Sequence, residues 1–394
     1  MTLTPAQGRY AGWSGWVLAV AFALVAPFGW LAPLGFATVA ALAGLLVLPG
    51  IWIEEDDRPA GFAVVTLVLW AVCSSYWSPY TPKGLGTSTA FKLLAQTVLY
   101  WSVISAARRA SSGARVGLLR ALALAVLALA LMQLYEGLTG ACAYMAVRNA
   151  IHDPIRPDLG IKNVAQGLFV LALFLPAAAL AGARTLRAPW LVGVLAVGLI
   201  VPSVAFGYDA PILALFVGGA AALIVWLLPK WGPRALAVAA GSFFLLTPAI
   251  IWIARSTGAY AALQAKAPLS WSERMGYWRH AADWISDHPF RGWGLDASRM
   301  FGPGIQLHPH DAALQVWLEL GLIGAVAMAV FWAVILAGLS RAKRDPVMVV
   351  SAATAVIYLV FGAVSFGVWQ EWWLACGALA AAACSALARQ DRSA

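Results

Sequence analysis

Residues 311–339 read DAALQVWLELGLIGAVAMAVFWAVILAGL. Only Asp311, at the start, and Glu319 carry charge. As a helix the stretch spans about 40 Å, more than the roughly 30 Å hydrocarbon core of a bilayer. It has no polar face to turn toward water, so lipid or other apolar helices must surround it. A membrane-spanning helix is the expectation.

The same pattern recurs along the chain. Apolar runs predict helices at about 13–29, 32–52, 60–77, 89–107, 116–136, 163–182, 189–206, 210–228, 234–254, 311–339, 347–368 and 371–388. The expected fold is an all-α polytopic membrane protein of about twelve spans, forming a single membrane domain over 1–394. No repeat, low-complexity linker or soluble domain interrupts it. Composition agrees: 62% of residues are hydrophobic and 11% are charged, against about 45–50% and 25% for soluble domains. Arg9 precedes the first apolar run, which leads straight into the next and reads as the first span rather than a cleavable signal.

The net charge of +9 does not indicate nucleic acid, because the basic residues are scattered through short loops and form no basic module. It reports orientation instead. With the N-terminus inside, the inner side collects Arg9, Arg58, Arg108, Arg109, Arg115, Arg120, Arg184, Arg187, Lys230, Arg234, Arg341, Lys343, Arg344, Arg389 and Arg392, fifteen of the 26 Lys plus Arg. Both termini are then cytoplasmic. The acidic run Glu54 to Asp57 is an exception in sign. Cys73, Cys376 and Cys384 lie in apolar runs, and Cys142 has no obvious outer partner. Without a CxxC pair, no structural zinc site is expected.

Two long loops face outward, about 137–162 and about 255–310. They hold all five histidines: His152, His280, His288, His308 and His310. Chemistry therefore faces away from ATP and nucleotide sugars. An activated donor must arrive already charged, for instance on a lipid diphosphate.

Within the larger loop, 270–287 predicts a short amphipathic helix. Ser270 and Glu273 have capping-box spacing. Trp271, Met275, Trp278, Ala282 and Ile285 form an apolar stripe, read as an anchor at the headgroup level. Arg274 and Arg279 lie off the stripe, where a guanidinium can fork onto phosphate or snorkel to headgroups. The turn His288-Pro289-Phe290-Arg291-Gly292-Trp293-Gly294-Leu295-Asp296 follows, then His308-Pro309-His310-Asp311. His310 thus stands at the outer rim on the end of a rigid helix. Glu319 lies roughly 12–13 Å deeper and reads as a hydrogen-bonded structural carboxyl.

The stretch from Ser272 to Gly324, about an eighth of the chain, resembles the signature region of the O-antigen ligase and O-antigen polymerase superfamily, membrane glycosyltransferases of the GT-C type. Its pattern is an Arg followed by an aromatic, a turn hP-hydrophobic-x-G-x-G, then H-N/S/Q, nine residues and G-x-x-G. Here these are Arg274 with Trp278, His288 to Gly294, and His310-Asp311 with Gly321-Leu322-Ile323-Gly324. Asp311 departs from the amide or hydroxyl. Upstream, Lys162-Asn163 is similar to the family's loop-to-helix Asn. Gly207-Tyr208-Asp209-Ala210-Pro211 stands where family members carry a Ser-Arg pair, so an Asp replaces the second Arg.

The resemblance implies a glycan on undecaprenyl diphosphate as donor and an acceptor hydroxyl on lipid A–core or on another lipid-linked glycan. It places the protein in the bacterial inner membrane with a periplasmic site. His310 is the expected base, tuned by Asp311, and Arg274 is expected to meet the leaving diphosphate. Arg279, Arg291, Arg156, Lys162, Asn163, Asp209 and His308 complete the expected binding set, with Arg148 a further cation. In-line attack inverts the anomeric carbon. No metal or other cofactor is called for, since the outer acids show no DxD pair. The sequence does not separate ligase from polymerase; the modest outer loop favours ligase. A transporter would show repeated halves and charges at the midplane, and a purely structural protein would not gather His, Arg and Asp on one face.

Overall fold

The computed structural model describes residues 5–391, and every regular element among them is helical. In chain order these are α1 (Pro5–Ala23), α2 (Val25–Leu31), α3 (Phe36–Val47), α4 (Arg58–Ser74), α5 (Thr89–Arg109), α6 (Ser112–Thr139), α7 (Cys142–Ala150), α8 (Pro157–Thr185), α9 (Leu191–Phe206), α10 (Asp209–Leu227), α11 (Gly232–Ser256), α12 (Ala259–Lys266), α13 (Leu269–Ile285), α14 (Ala312–Ala337), α15 (Pro346–Val364) and α16 (Glu371–Asp391).

The protein is an all-α polytopic membrane protein. Among the described residues, eleven helical stretches are long and apolar enough to cross a bilayer. α1 with α2 makes one, and α3 with its flanking 3-10 turns makes another. α9 is apolar but only 16 residues long, about 24 Å. Gly207, at φ +70°, closes it before α10 begins. Counting α9 gives the expected twelve. α8 is the most enclosed span and packs among α6, α9, α15 and α16. α14 packs between α4 and α11.

Three local expectations change. The segment 137–162 is mostly helical: α6 runs on to Thr139, α7 fills 142–150, and α8 starts at Pro157. Proline is pre-set for the first helical turn, so Lys162 and Asn163 sit inside α8 rather than at its opening. Helix α13 has no capping box; Pro268 takes the N-cap position and no side chain caps it. Most of its stripe also faces protein rather than headgroups. Met275, Ala282 and Ile285 are buried with Ile251, Leu314 and Leu318 of α11 and α14.

The sign exception at Glu54–Asp57 has a structural account. Arg108 pairs with Asp57, and Arg389 pairs with Glu54. These pairs join the start of α4 to the ends of α5 and α16. Nearby, the Tyr10 hydroxyl donates to the Val47 carbonyl at 2.7 Å, and Arg109 donates to the Gly50 carbonyl at 3.1 Å. Of the inner cations, Arg392 lies outside the described residues.

Candidate active site

The large loop is held by a break in a membrane helix. Gly321, inside α14, has φ +63° and ψ −161°, a region open essentially to glycine alone. The break frees main-chain groups, and the turn 288–296 takes them up. Trp293 N–H donates to the Leu318 carbonyl at 2.9 Å, and Gly294 N–H to that of Glu319 at 2.8 Å. In return, Leu322 N–H donates to the Pro289 carbonyl at 2.8 Å. The two backbones touch. A Cβ on Gly321 would lie 2.4 Å from the Phe290 carbonyl oxygen, and one on Gly292 (φ +68°) would lie 2.4 Å from that of Glu319. The glycines of the two signature motifs are thus the two halves of one latch.

Glu319 closes the latch from below. It is fully buried and accepts from four donors: Asp296 N–H at 2.9 Å, the Ser298 hydroxyl at 2.6 Å, the Gln315 amide at 3.1 Å and the Trp369 indole at 2.7 Å. A buried carboxylate needs such company. Its role is structural, tying the loop, α14 and the 365–370 turn together.

Above the latch stands the His308–His310 seat. Trp278 of α13 donates its indole N–H to the Pro309 carbonyl at 3.0 Å. His310 has φ +57°. Its main-chain N–H donates to His308 Nδ1 at 3.1 Å, and its own Nδ1 lies 2.8 Å from the Ser365 carbonyl oxygen. A carbonyl only accepts, so Nδ1 carries the proton and Nε2 keeps its lone pair. Tyr277 of α13 stacks on the ring, with centroids 6.1 Å apart.

Burial holds His310 below the usual imidazole range; the Ser365 carbonyl opposes this and the Arg274 charge adds to it. Burial, with help from His310 and Arg299, takes His308 down to about 3. Both rings are therefore neutral near pH 7. Arg274 is itself pushed down by burial, against Glu273, but a guanidinium keeps its charge.

The contact that Asp311 makes is a helix cap. Its Oδ1 accepts the Leu314 N–H at 2.9 Å and caps α14. The group that orients His310 is the Ser365 carbonyl.

The outer arginines fall into two sets. Arg148 pairs with Asp153, Arg156 with Asp158, Arg255 with Asp283, and Arg299 with Asp296. Among the described residues, Arg274, Arg279 and Arg291 have no carboxylate within salt-bridge distance. Arg274 lies over the Trp271 ring at 5.3 Å and Arg291 over Trp77 at 5.8 Å. The upstream residues make other contacts. Asn163 donates to the Tyr144 hydroxyl at 3.2 Å, while Lys162 and Asp209 are exposed. Among the described residues, no hydrogen bond or ion pair ties Arg156, Lys162, Asn163 or Asp209 to the histidine seat. Nor do any three His, Cys, Asp or Glu side chains there gather as metal ligands.

Sequence reasoning missed Ser365, Tyr277 and the Glu319 donors Ser298, Gln315 and Trp369. Ser365 acts through its carbonyl, which every residue possesses. The spacing of Tyr277 one residue before Trp278 was visible, but its ring contact with His310 was not.

Comparison with known proteins adds a family. Residues 171–329 match the family model described as O-antigen ligase. The match runs from α8 into α14 and includes Arg274 and His310. Curated relatives named as candidate polysaccharide ligases occur in Rickettsia. That of Rickettsia conorii is 29% identical over 132 residues, 30% of this chain and 31% of the relative. That of Rickettsia bellii is 30% identical over 122 residues, 26% and 29% of the two chains. The chain thus spans about a third of the length of the curated relatives it matches.

Proposed function

From the kinship of residues 171–329 with the O-antigen ligase superfamily, we propose that the protein transfers a glycan from undecaprenyl diphosphate to an acceptor hydroxyl on lipid A–core. The reaction takes place at the periplasmic face of the inner membrane. The observation that carries this reading is His310. Its Nδ1 proton is committed to Ser365, and its Nε2 lone pair is free beside an arginine without a carboxylate partner.

Nε2 takes the proton of the acceptor hydroxyl as its oxygen bonds to the anomeric carbon. The bond from that carbon to the diphosphate oxygen breaks on the opposite face, which inverts the centre. The leaving diphosphate departs with the electron pair. Arg274 meets its charge, with Arg279 and Arg291 assisting. Positive charge comes from guanidinium groups, so the proposal needs no metal.

The test is transfer by the purified chain in nanodiscs, using a synthetic undecaprenyl-diphosphate glycan and lipid A–core with EDTA present. Product on lipid A–core is expected. A ladder of longer lipid-linked chains would make the protein a polymerase, and no product from folded protein would end the enzyme reading.

Arg274→Ala is expected to lower kcat by about 10²–10³-fold, the range for losing one charge-stabilising donor. Arg274→Lys should recover part of it, since a lysine restores charge without the fork.

The pH profile gives an independent check. A base must be neutral, so kcat/KM should stay flat through neutrality and fall only as pH drops through the depressed His310 pKa, below the usual value of about 6.5. Arg274 helps depress that pKa. In Arg274→Gln the acid limb should therefore move to higher pH. An unmoved acid limb would separate Arg274 from His310.

A further inference from the structure

A second feature of the outer end lies behind the histidine seat. A cavity of about 530 Å³ opens between the start of α5, the α4–α5 loop, the segment after the latch and the start of α16. That volume is within the roughly 300–1,000 Å³ of small-molecule sites. His308 forms part of its wall, and the His308 ring lies 4.2 Å from that of His310. Any occupant is therefore one ring away from the proposed base.

The lining identifies the class of occupant. Both cations in the wall are already neutralised. Lys92 pairs with Glu371 at 2.7 Å, and Arg299 pairs with the buried Asp296 at 2.9 Å. A diphosphate would want free positive charge, which lies instead at Arg274, Arg279 and Arg291. A polyprenyl tail would want an apolar wall, and this one is half polar in character, with Gln315 and Gln370 among the charged pairs. Tyr80 and Trp369 supply aromatic surface. Such a mixture suits a sugar, which offers hydroxyl donors and acceptors around its edge and apolar C–H faces.

Gln96 supplies an independent sign. It sits one turn below Lys92 on the same face of α5 and lines the cavity. The residue is 8% exposed, and Oε1 is buried with no hydrogen-bond partner. An orphaned buried acceptor costs about 1–3 kcal/mol. Rotation of the amide into the cavity, onto a bound hydroxyl, would remove that cost.

We propose that this cavity is a glycan subsite in which Gln96 Oε1 accepts a sugar hydroxyl, placing one of the two reacting glycans beside the His308–His310 pair. The inference rests on the transferase reading, and the glycan is that of the donor or that of the acceptor.

The test separates these sources. Two soluble glycans are titrated calorimetrically against the full chain in nanodiscs: core oligosaccharide freed of lipid A, and repeat-unit glycan freed of its lipid diphosphate. The chains are wild type, Gln96→Leu and Thr89→Trp, the last placing a bulky ring in the cavity wall. One glycan should bind wild type and lose about tenfold in affinity in both variants, the size of one or two hydrogen bonds. The KM of the matching lipid-linked substrate should rise alongside, with the other KM unchanged.

Binding of neither glycan to wild type overturns the subsite, as does Thr89→Trp with both affinities and both KM values intact. Transfer that continues unaltered in the filled variant removes the subsite and leaves the enzyme reading standing. Binding without transfer in wild type does the reverse.

Discussion

His310→Ala is expected to abolish measurable transfer, a fall of at least about 10²–10⁴-fold in kcat for the loss of a general base. The protein should remain folded. The ring is only half-buried, and the cap on α14 belongs to Asp311. One confounder is backbone conformation. His310 sits at φ +57°, where an alanine costs about 1–2 kcal/mol and an asparagine is tolerated. His310→Asn separates the two effects. Its amide suits the φ and can still donate to the Ser365 carbonyl, but it is no base at neutral pH. If both variants are dead yet bind the lipid-linked donor with near-normal affinity, the imidazole acts chemically. If His310→Asn retains more than about a tenth of wild-type kcat, the residue merely positions others, and the base lies elsewhere.

The fold was legible wherever one physical signal dominated. The run 311–339 has no competing reading, because neither water nor a soluble core suits it, and α14 occupies 312–337. The α9 span is harder. Its 16 residues are apolar but short, and only Gly207 marks where it stops. The stripe on α13 was legible as a stripe, yet periodicity does not say what covers it. Here that is α11 and α14 rather than lipid.

The site divides in the same way. His310, Arg274 and the glycines stood out because their side chains, or the lack of them, carry the pattern. Glu319 was readable as a structural carboxyl, although its four donors come from its own helix and two other segments. The Ser365 carbonyl carries no sequence identity, and the pairing of Pro289–Gly294 with Leu318–Leu322 is made of main-chain bonds across about 30 residues of chain. Neither is written in residue type.

Gly321→Ala should be the most damaging change away from the chemistry. A Cβ there would lie 2.4 Å from the Phe290 carbonyl oxygen and 2.5 Å from Gly292 N. Both neighbours are backbone and have no rotamer to change. The φ adds strain of about 1–3 kcal/mol. Relief requires the turn 288–296 to lift off, which breaks the bonds to Leu318 and Glu319 and leaves Glu319 buried without Asp296 N–H. Each orphaned group costs about 1–3 kcal/mol more. The expected result is poor recovery of folded protein from the membrane and a thermal unfolding temperature many degrees below wild type in detergent. Gly219→Ala is the control, since nothing lies within 4 Å of a Cβ there; it should melt like wild type. Gly292→Ala strikes the same contact from the other side and should match Gly321→Ala. Because both break one latch, the double variant should lose little more than either single one. Additive losses would mean that the two glycines support separate structures, and a Gly321→Ala protein that melts like wild type would mean that the turn is held by something other than α14.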